Sequence, residues 1–300
     1  MTLKIGKFEV GGRLLAPLAG YTDIAFRELC KGYGAGLTVT EMVSVRGLVR
    51  DNANTEILTR ISERESPSCV QLFGNDPDEF ARAAEMLDCD MIDINMGCPM
   101  PKIVKNGDGS ALLKTPELAG KIVAAIRNAV DKPVTVKTRI GFADGERSAG
   151  ALIQSVAEAG AAAVTVHGRT AAQRYGGSSD VDAVKTLAKT SRVPIIYNGD
   201  VTRDNITELE NVFGAVAIGR GALACPGIFS DVRVDPLNIA REHLRLLSKY
   251  FDERYTVNAS RKFFVHYFKG VVGGRTVREG VNRAQTVKEV HDVLDKFARM

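Results

Sequence analysis

Across its first 220 residues the chain alternates short β-rich runs with longer amphipathic stretches, and no other feature limits its fold so strongly. Candidate strands fall at 12–17, 36–40, 68–73, 90–94, 134–138, 162–166, 194–197 and 214–218. Ala162-Ala163-Val164-Thr165-Val166 and Val193-Pro194-Ile195-Ile196-Tyr197 are too apolar to be half exposed. They read as strands covered on both faces, as in a parallel sheet. The stretches between them carry helix starts. Asp76-Pro77-Asp78-Glu79 offers a cap and a proline in the first turn of a helix through Leu87. Thr115-Pro116-Glu117 opens a second, through Ile122, Ala125 and Ile126. Glu146-Arg147 leads into a third, through Val156 and closed near Gly160, and Thr202-Arg203-Asp204 precedes a fourth. Eight strands with intervening helices predict an α/β fold, a (β/α)8 TIM barrel. No G-x-G-x-x-G follows the first strand, so a doubly wound dinucleotide fold lacks its usual support. Residues 44–60 read as a loop or helical insertion near the top face.

After Pro226 the character changes. Residues 236–300 show no convincing period-2 strand. Arg241 to Tyr250, Asn258 to Phe268 and Val281 to Phe297 read as helices, interrupted by Gly270, Gly273 and Gly274. The expectation is a barrel over residues 1–235 followed by a small all-helical C-terminal domain over 236–300. Charge divides along the same line. Residues 236–300 hold 13 Lys+Arg against 7 Asp+Glu, whereas the rest holds 27 against 29. In 256–288, Arg261, Lys262, Lys269, Arg275, Arg278, Arg283 and Lys288 face only Glu279. A mildly acidic body with a basic tail fits a polyanionic partner, and a solvated helical face fits the charge equally well.

Composition narrows the class. The 300 residues are 45% hydrophobic and 25% charged, which is globular composition. No apolar run approaches the roughly 18 residues of a membrane span. Met1-Thr2-Leu3-Lys4-Ile5-Gly6 shows no apolar leader core. A soluble, cytoplasmic, monomeric protein that avoids membranes is expected. The five cysteines (Cys30, Cys69, Cys89, Cys98 and Cys225) are odd in number and form no C-x-x-C. They read as free thiols, with Cys69 and Cys89 in the core.

In such a barrel the strand C-termini build the site, and here they carry polar groups. Pro17-Leu18-Ala19 ends the first strand with small residues that admit a flat ring. Gln71 ends the third and can both donate and accept at the edge of a heterocycle. Lys137 lies in a buried-strand pattern, where an ammonium is costly unless paired. It can stabilise a reduced flavin, a phosphate or an internal carboxylate. His167 follows Val164-Thr165-Val166 without companions at metal-ligand spacing, so no metal is expected. Asn198-Gly199-Asp200 and Gly219-Arg220-Gly221 end strands seven and eight, where barrels often bind phosphate. Arg220 can add a bidentate contact there. Cys98 sits in Ile94-Asn95-Met96-Gly97-Cys98-Pro99 with no base beside it in sequence, as a nucleophile would want. At a flavin site a thiol can instead act as a general acid, with Asn95 holding the substrate base.

Over essentially its full length the chain resembles the tRNA-dihydrouridine synthases, most of all their bacterial B-type branch. The resemblance lies in Ala16-Pro17-Leu18-Ala19-Gly20-Tyr21-Thr22-Asp23 with Phe26-Arg27, and in Asp93-Ile94-Asn95-Met96-Gly97-Cys98-Pro99. It continues in Lys105-Asn106-Gly107-Asp108-Gly109-Ser110-Ala111-Leu112-Leu113, Val136-Lys137-Thr138-Arg139 and Val166-His167-Gly168-Arg169-Thr170. It implies an FMN-dependent barrel joined to a helical tRNA-binding domain. Pro17, Leu18, Ala19, Gln71, Lys137, His167, Asn198, Gly199, Asp200, Gly219 and Arg220 would hold FMN. Cys98 would protonate C5 of a flipped uracil while hydride passes from flavin N5 to C6. Asn95 would bind the uracil, and Arg169, Gln173, Arg174 and Tyr175 would line its pocket. NADPH would reduce the flavin and then leave. Arg261, Lys262, Arg275, Arg278 and Arg283 would clamp the tRNA, with position 17 of the D-loop the implied target. Two segments depart from the family pattern. Phe263 follows Arg261-Lys262 where the family has histidine, and Ser178-Ser179-Asp180-Val181 replaces its usual Ala-Asp-Trp.

Overall fold

The structure, a computed structural model, describes residues 1–50 and 52–299. Two antiparallel strands, β1 (Thr2–Ile5) and β2 (Phe8–Gly11), form an N-terminal hairpin. The apolar runs then form β3 (Arg13–Leu15), β4 (Leu37–Thr38), β5 (Met42–Ser44), β6 (Cys69–Phe73), β7 (Met91–Met96), β8 (Val134–Arg139), β9 (Ala163–His167), β10 (Ile195–Asn198) and β11 (Val216–Ile218). Neighbours pair in parallel in the order β4-β3-β11-β10-β9-β8-β7-β6-β5.

The two ends of that order are consecutive in the chain. Between them the Thr40 N–H donates to the carbonyl of Cys69 on β6 at 3.1 Å. β4 and β5 are therefore two halves of one strand, bent at Val39–Glu41, and the ring closes as a TIM barrel of eight staves. The sequence marks this stave at 36–40; the structure extends it to Ser44. The expected helices are present as Pro77–Met86, Pro116–Ala129, Ala149–Glu158 and Ile206–Phe213. Asp76 caps the first by accepting the N–H groups of Asp78 at 2.9 Å and Glu79 at 3.2 Å. The insertion at 44–60 is helical, as Val45–Val49 and Ala53–Thr59.

The hairpin is not expected from the strand pattern. Its Ile5 and Val10 are buried with Leu14, Cys69, Met91, Ala163, Ile196 and Ala215, residues at the starts of barrel strands. The hairpin thus plugs the N-terminal end of the barrel, opposite the candidate site. The signal was present in the alternation of Leu3 and Ile5 with Thr2 and Lys4.

Among the described residues, four α-helices follow the short turn of helix at Pro226–Phe229: Pro236–Tyr250, Glu253–Tyr267, Gly274–Arg283 and Val287–Ala298. The expected helix 281–297 is broken at Ala284-Gln285-Thr286, because the Thr286 hydroxyl accepts the Glu289 N–H at 3.2 Å and starts a new helix. Asp235 caps the first of the four by accepting the Leu237 N–H at 3.1 Å. The helices share a core with the barrel. Fully buried Phe263 stacks on Phe26 of the helix Ile24–Gly32 with centroids 5.0 Å apart, and meets Tyr21 edge-on at 5.7 Å. Such pairs add about 0.5–1.5 kcal/mol each beyond their buried area. This packing gives the departure at Phe263 a physical role. Buried Glu28 on the same barrel helix pairs with Lys249 at 3.2 Å and accepts the Tyr250 hydroxyl. Among the described residues no helix is long and apolar enough to cross a membrane.

Candidate active site

Strand register sets the site in rows. Met42, Gln71, Asp93 and Thr135 lie side by side across β5, β6, β7 and β8. Two residues further along β7, Asn95 stands beside Lys137, which stands beside Thr165. Gln71 is mid-strand rather than at the strand end the sequence suggested. In the lower row the carboxylate of Asp93 is nearly fully buried. It accepts Gln71 Nε2 at 2.6 Å and Thr135 Oγ1 at 2.6 Å. Burial pushes its carboxyl up from the usual range, and these two bonds and the nearby Lys137 hold it back.

In the upper row the Asn95 Oδ1 accepts the N–H groups of Gly97 at 3.2 Å and Cys98 at 2.9 Å, and its Nδ2 donates to Gln71 Oε1 at 3.0 Å. The Cys98 carbonyl accepts the Ser110 N–H at 3.0 Å. This contact needs Gly109, at φ +61°, because a Cβ there would lie 2.8 Å from that carbonyl. Cys98 is half-buried. Burial raises its thiol above the ordinary value of 9.0, while the Met100 N–H and the charges of Arg139 and Lys137 pull it back in part. Cys98 is therefore a protonated thiol at neutral pH.

Lys137 is the unusual charge. Burial, then the Arg139 guanidinium, lower it to about 8, with Asp93 and Cys98 acting in the other direction. Among the described residues its Nζ has no hydrogen-bonding or ion-pair partner. His167, also buried, is held at about 2 by desolvation and by the charges of Lys137, Arg139, Arg169 and Arg220, so its imidazole is neutral. Arg139 ends β8 and ties the rim together. Its Nε donates to the Gly97 carbonyl at 2.8 Å, and its Nη1 to those of Thr170 at 2.8 Å and Arg174 at 2.9 Å.

The far side of the mouth is built from β3, β10 and β11. Pro17-Leu18-Ala19 follows β3, with the Tyr21 and Thr22 N–H groups folded back onto the Leu18 carbonyl at 2.9 and 3.0 Å. Leu18 faces Gly219, where a Cβ would lie 3.5 Å from Leu18 Cδ2. Gly199 adopts φ +126°, and a Cβ there would lie 2.2 Å from Ser179 Oγ and 2.9 Å from His167 Cδ2. Asn198 Nδ2 is used internally, on the Ala217 carbonyl at 2.7 Å. Asp200 bridges two arginines, accepting Arg169 Nη1 at 3.0 Å and Arg220 Nη2 at 2.8 Å. Arg220 is 53% exposed and lies 5.4 Å from the ring of exposed Tyr175.

Arg169 was expected to face substrate. In the structure its side chain is 2% exposed and its donors are used within the chain. They reach Asp200, the carbonyls of Gly176 at 3.0 Å and Gly177 at 2.6 Å, and the ring of His167 at 3.4 Å. It clamps the loop carrying Gln173, Arg174 and Tyr175. Gln173 Oε1 caps that loop by accepting the Thr170 N–H at 2.8 Å, and the Arg174 side chain is exposed. The departing segment Ser178–Val181 is structural as well: Asp180 caps the next helix by accepting the Ala183 N–H at 2.8 Å.

The expected clamp residues divide. Arg275 and Arg283 are exposed, the former paired with Glu279 at 2.7 Å. Arg278 is half-buried. Arg261 spans to Asn258 Oδ1 at 3.2 Å and to the Ala284 carbonyl, bracing two helices. Lys262 turns into the barrel, donating to the Gly20 carbonyl beneath the ring of Tyr21, with Asp23 and Glu41 as its nearest carboxylates. Asp93, Thr135 and Arg139 are the site residues to which sequence reasoning gave no role. The signal for the first two was a pair of polar side chains inside otherwise apolar strands.

Comparison with known proteins gives consistent results. The family model described as "Dihydrouridine synthase (Dus)" matches residues 14–300. "Probable tRNA-dihydrouridine synthase" of Rickettsia conorii is 34% identical, over 98% of this chain and 96% of that protein. A protein of the same description from Mycobacterium tuberculosis is 37% identical, over 98% and 84%. "tRNA-dihydrouridine synthase B" of Pasteurella multocida is 31% identical, over 98% and 95%. Among solved structures, 2-naphthoyl-CoA reductase in complex with 2-naphthoyl-CoA superposes with TM-score 0.59 at 12% identity. That match covers 76% of this chain and 50% of the reductase and concerns the fold alone.

Proposed function

The chain belongs to the dihydrouridine synthase family, and on that footing we propose that it reduces uridines of tRNA to 5,6-dihydrouridine, using FMN that NADPH has reduced. The observation that carries the reading is the pairing of a protonated, backbone-anchored thiol, Cys98, with the unpartnered ammonium of Lys137 at the mouth of a closed barrel.

The residues present fit FMN. Lys137 lacks a partner and offers its positive charge to an electron-rich ring. His167, neutral, offers a hydrogen bond without adding charge. Gln71 keeps one N–H and one lone pair beyond its internal bonds. Gly219 leaves backbone partly exposed beside the half-exposed Arg220, which suits a phosphate, and Pro17-Leu18-Ala19 would border the ring. Asp200 would act through the two arginines it holds, and Asn198 through the turn it anchors. When bound, FMN supplies the hydride that adds to C6 of the uracil.

Cys98 completes the addition. Its S–H bond breaks as the C5–H bond forms, leaving a thiolate that Arg139 and Lys137 stabilise. Asn95 stands next to the thiol to orient the base. A uracil in folded tRNA must be flipped out to reach this depth. Exposed Arg275 and Arg283 on the helical region 236–300 would hold the backbone, while tRNA shape selects the target, position 17 of the D-loop in this reading. Mapping dihydrouridine in tRNA from cells lacking this gene, and in the same tRNA after treatment with purified protein and NADPH, tests the proposal. Purified protein should be yellow; protein that takes up no FMN, or tRNA left without dihydrouridine, refutes it.

A further inference from the structure

Asp93 neither reaches the mouth nor touches the thiol, yet a single directed chain of hydrogen bonds links the two. Its Oδ2 accepts Gln71 Nε2 at 2.6 Å, Gln71 Oε1 accepts Asn95 Nδ2 at 3.0 Å, and Asn95 Oδ1 accepts the Cys98 N–H at 2.9 Å. Each amide can turn over and exchange its oxygen for its nitrogen, so the sense of the chain must be imposed from its ends. The Cys98 end imposes it. The Gly97 and Cys98 N–H groups can only donate, so Asn95 must present its oxygen to them and its nitrogen to Gln71. With the Asn95 nitrogen on Gln71 Oε1, the Gln71 nitrogen faces Asp93 Oδ2, which accepts it. Thr135 Oγ1 donates to the remaining oxygen, Oδ1, at 2.6 Å and fixes the rotation of the carboxylate. Turning over either amide would set donor against donor or acceptor against acceptor at both of its junctions.

We propose that Asp93 is a positioning residue for Cys98, anchoring the far end of the Gln71 and Asn95 amide chain that holds the thiol's loop in place. The proposal deepens the reading of Cys98 as proton donor and rests on it. It also explains why a strand lining a barrel core carries a nearly fully buried carboxylate. An apolar residue there would fill the space and leave Gln71 Nε2 without its acceptor, so the chain of amides would be held from the Cys98 end alone.

The test is the rate at which iodoacetamide alkylates Cys98, followed by mass spectrometry of its peptide with FMN in excess. Variants are compared with wild type after circular dichroism confirms the fold. Asp93→Leu removes the acceptor. Asp93→Asn keeps one, because its oxygen can face Gln71 while its nitrogen faces the Thr135 hydroxyl. Gln71→Met cuts the chain while keeping Asp93 and its bond from Thr135, and serves should Asp93→Leu not fold. Loss of one anchoring bond should speed alkylation about fivefold or more in Asp93→Leu and Gln71→Met. In both, kcat on tRNA should fall while KM for tRNA stays near wild type. Asp93→Asn should match wild type in each measurement. Wild-type alkylation rates in Gln71→Met, or Asp93→Asn as fast as Asp93→Leu, overturn the proposal. Wild-type protein that takes up no FMN refutes the reaction instead and leaves the alkylation comparison intact.

Discussion

The Arg139 guanidinium donates to the Gly97 carbonyl at 2.8 Å, joining the last residue of β8 to the loop that carries the thiol. The same side chain holds the carbonyls of Thr170 and Arg174. One cation therefore fixes the spacing between the thiol's loop and the loop after β9.

Arg139→Met should leave three carbonyls without their donor. Each buried unpaired acceptor costs about 1–3 kcal/mol, so a stability loss on the order of 3 kcal/mol or more is expected. For a chain of this size that lowers the melting midpoint by roughly 6–10 °C. Arg139→Lys keeps the charge without the fork and should recover less than half of the loss. A calorimetric melt unchanged in Arg139→Met would show that these bonds carry no weight.

Cys98→Ala should separate the two halves of the reaction. Removing a general acid typically costs about 10²–10⁴-fold, and only the half that forms dihydrouridine needs the proton. The variant should stay yellow and be bleached by NADPH at the normal rate. Stopped-flow absorbance follows the bleaching, and dihydrouridine analysis of tRNA follows the other half. Normal tRNA turnover would remove Cys98 from its role.

Acid should destabilise the protein through His243, which is fully buried between Phe26, Phe263 and Tyr267. Burial, with the Lys262 charge, lowers it from 6.5 to about 3. The unfolded chain holds a proton that the folded one refuses, so this stability is complete above pH 6.5 and is lost as pH falls from 6.5 towards 3. The slope approaches about 1.4 kcal/mol per pH unit for the single proton. His167 contributes with the same sign, whereas the raised carboxyl of Asp93 contributes with the opposite one. Urea unfolding of His243→Gln at several pH values should therefore run shallower than wild type by close to one proton. Parallel curves would rule out His243 as a source.

Arg283→Ala and Lys262→Ala should fail in different ways. Arg283 is exposed, so its loss should weaken tRNA binding, reduce the salt dependence by about 0.7–0.9 in log–log slope, and leave the melt unchanged. Lys262 lies against Gly20 and Tyr21, and its loss should lower the melting midpoint. Filter binding over a salt series, paired with thermal melts, separates the two. Equal melts for both variants would contradict the contact of Lys262 with the barrel.

What was legible in the sequence follows from how much each element depends on distant partners. The barrel strands are apolar enough to declare themselves locally, and Asn95, Lys137 and His167 stand out because they interrupt such runs. Gln71 was recognised but misplaced by two residues, since an inward amide in mid-strand reads the same as one at the end. Arg169 and Lys262 look like surface cations in sequence. Their acceptors, Asp200 and the Gly20 carbonyl, are remote along the chain and are found only after folding. The bend in the second stave was hidden because Val39 to Glu41 keep a strand-like composition while the ladder passes to a different neighbour.

The hairpin of β1 and β2 has a consequence for traffic. With Ile5 and Val10 wedged among the strand starts, the barrel is a cul-de-sac. Whatever reaches the thiol, the lysine or the imidazole enters by one door and leaves by it. In the reaction proposed above, the reductant and the uracil would both come through that one mouth.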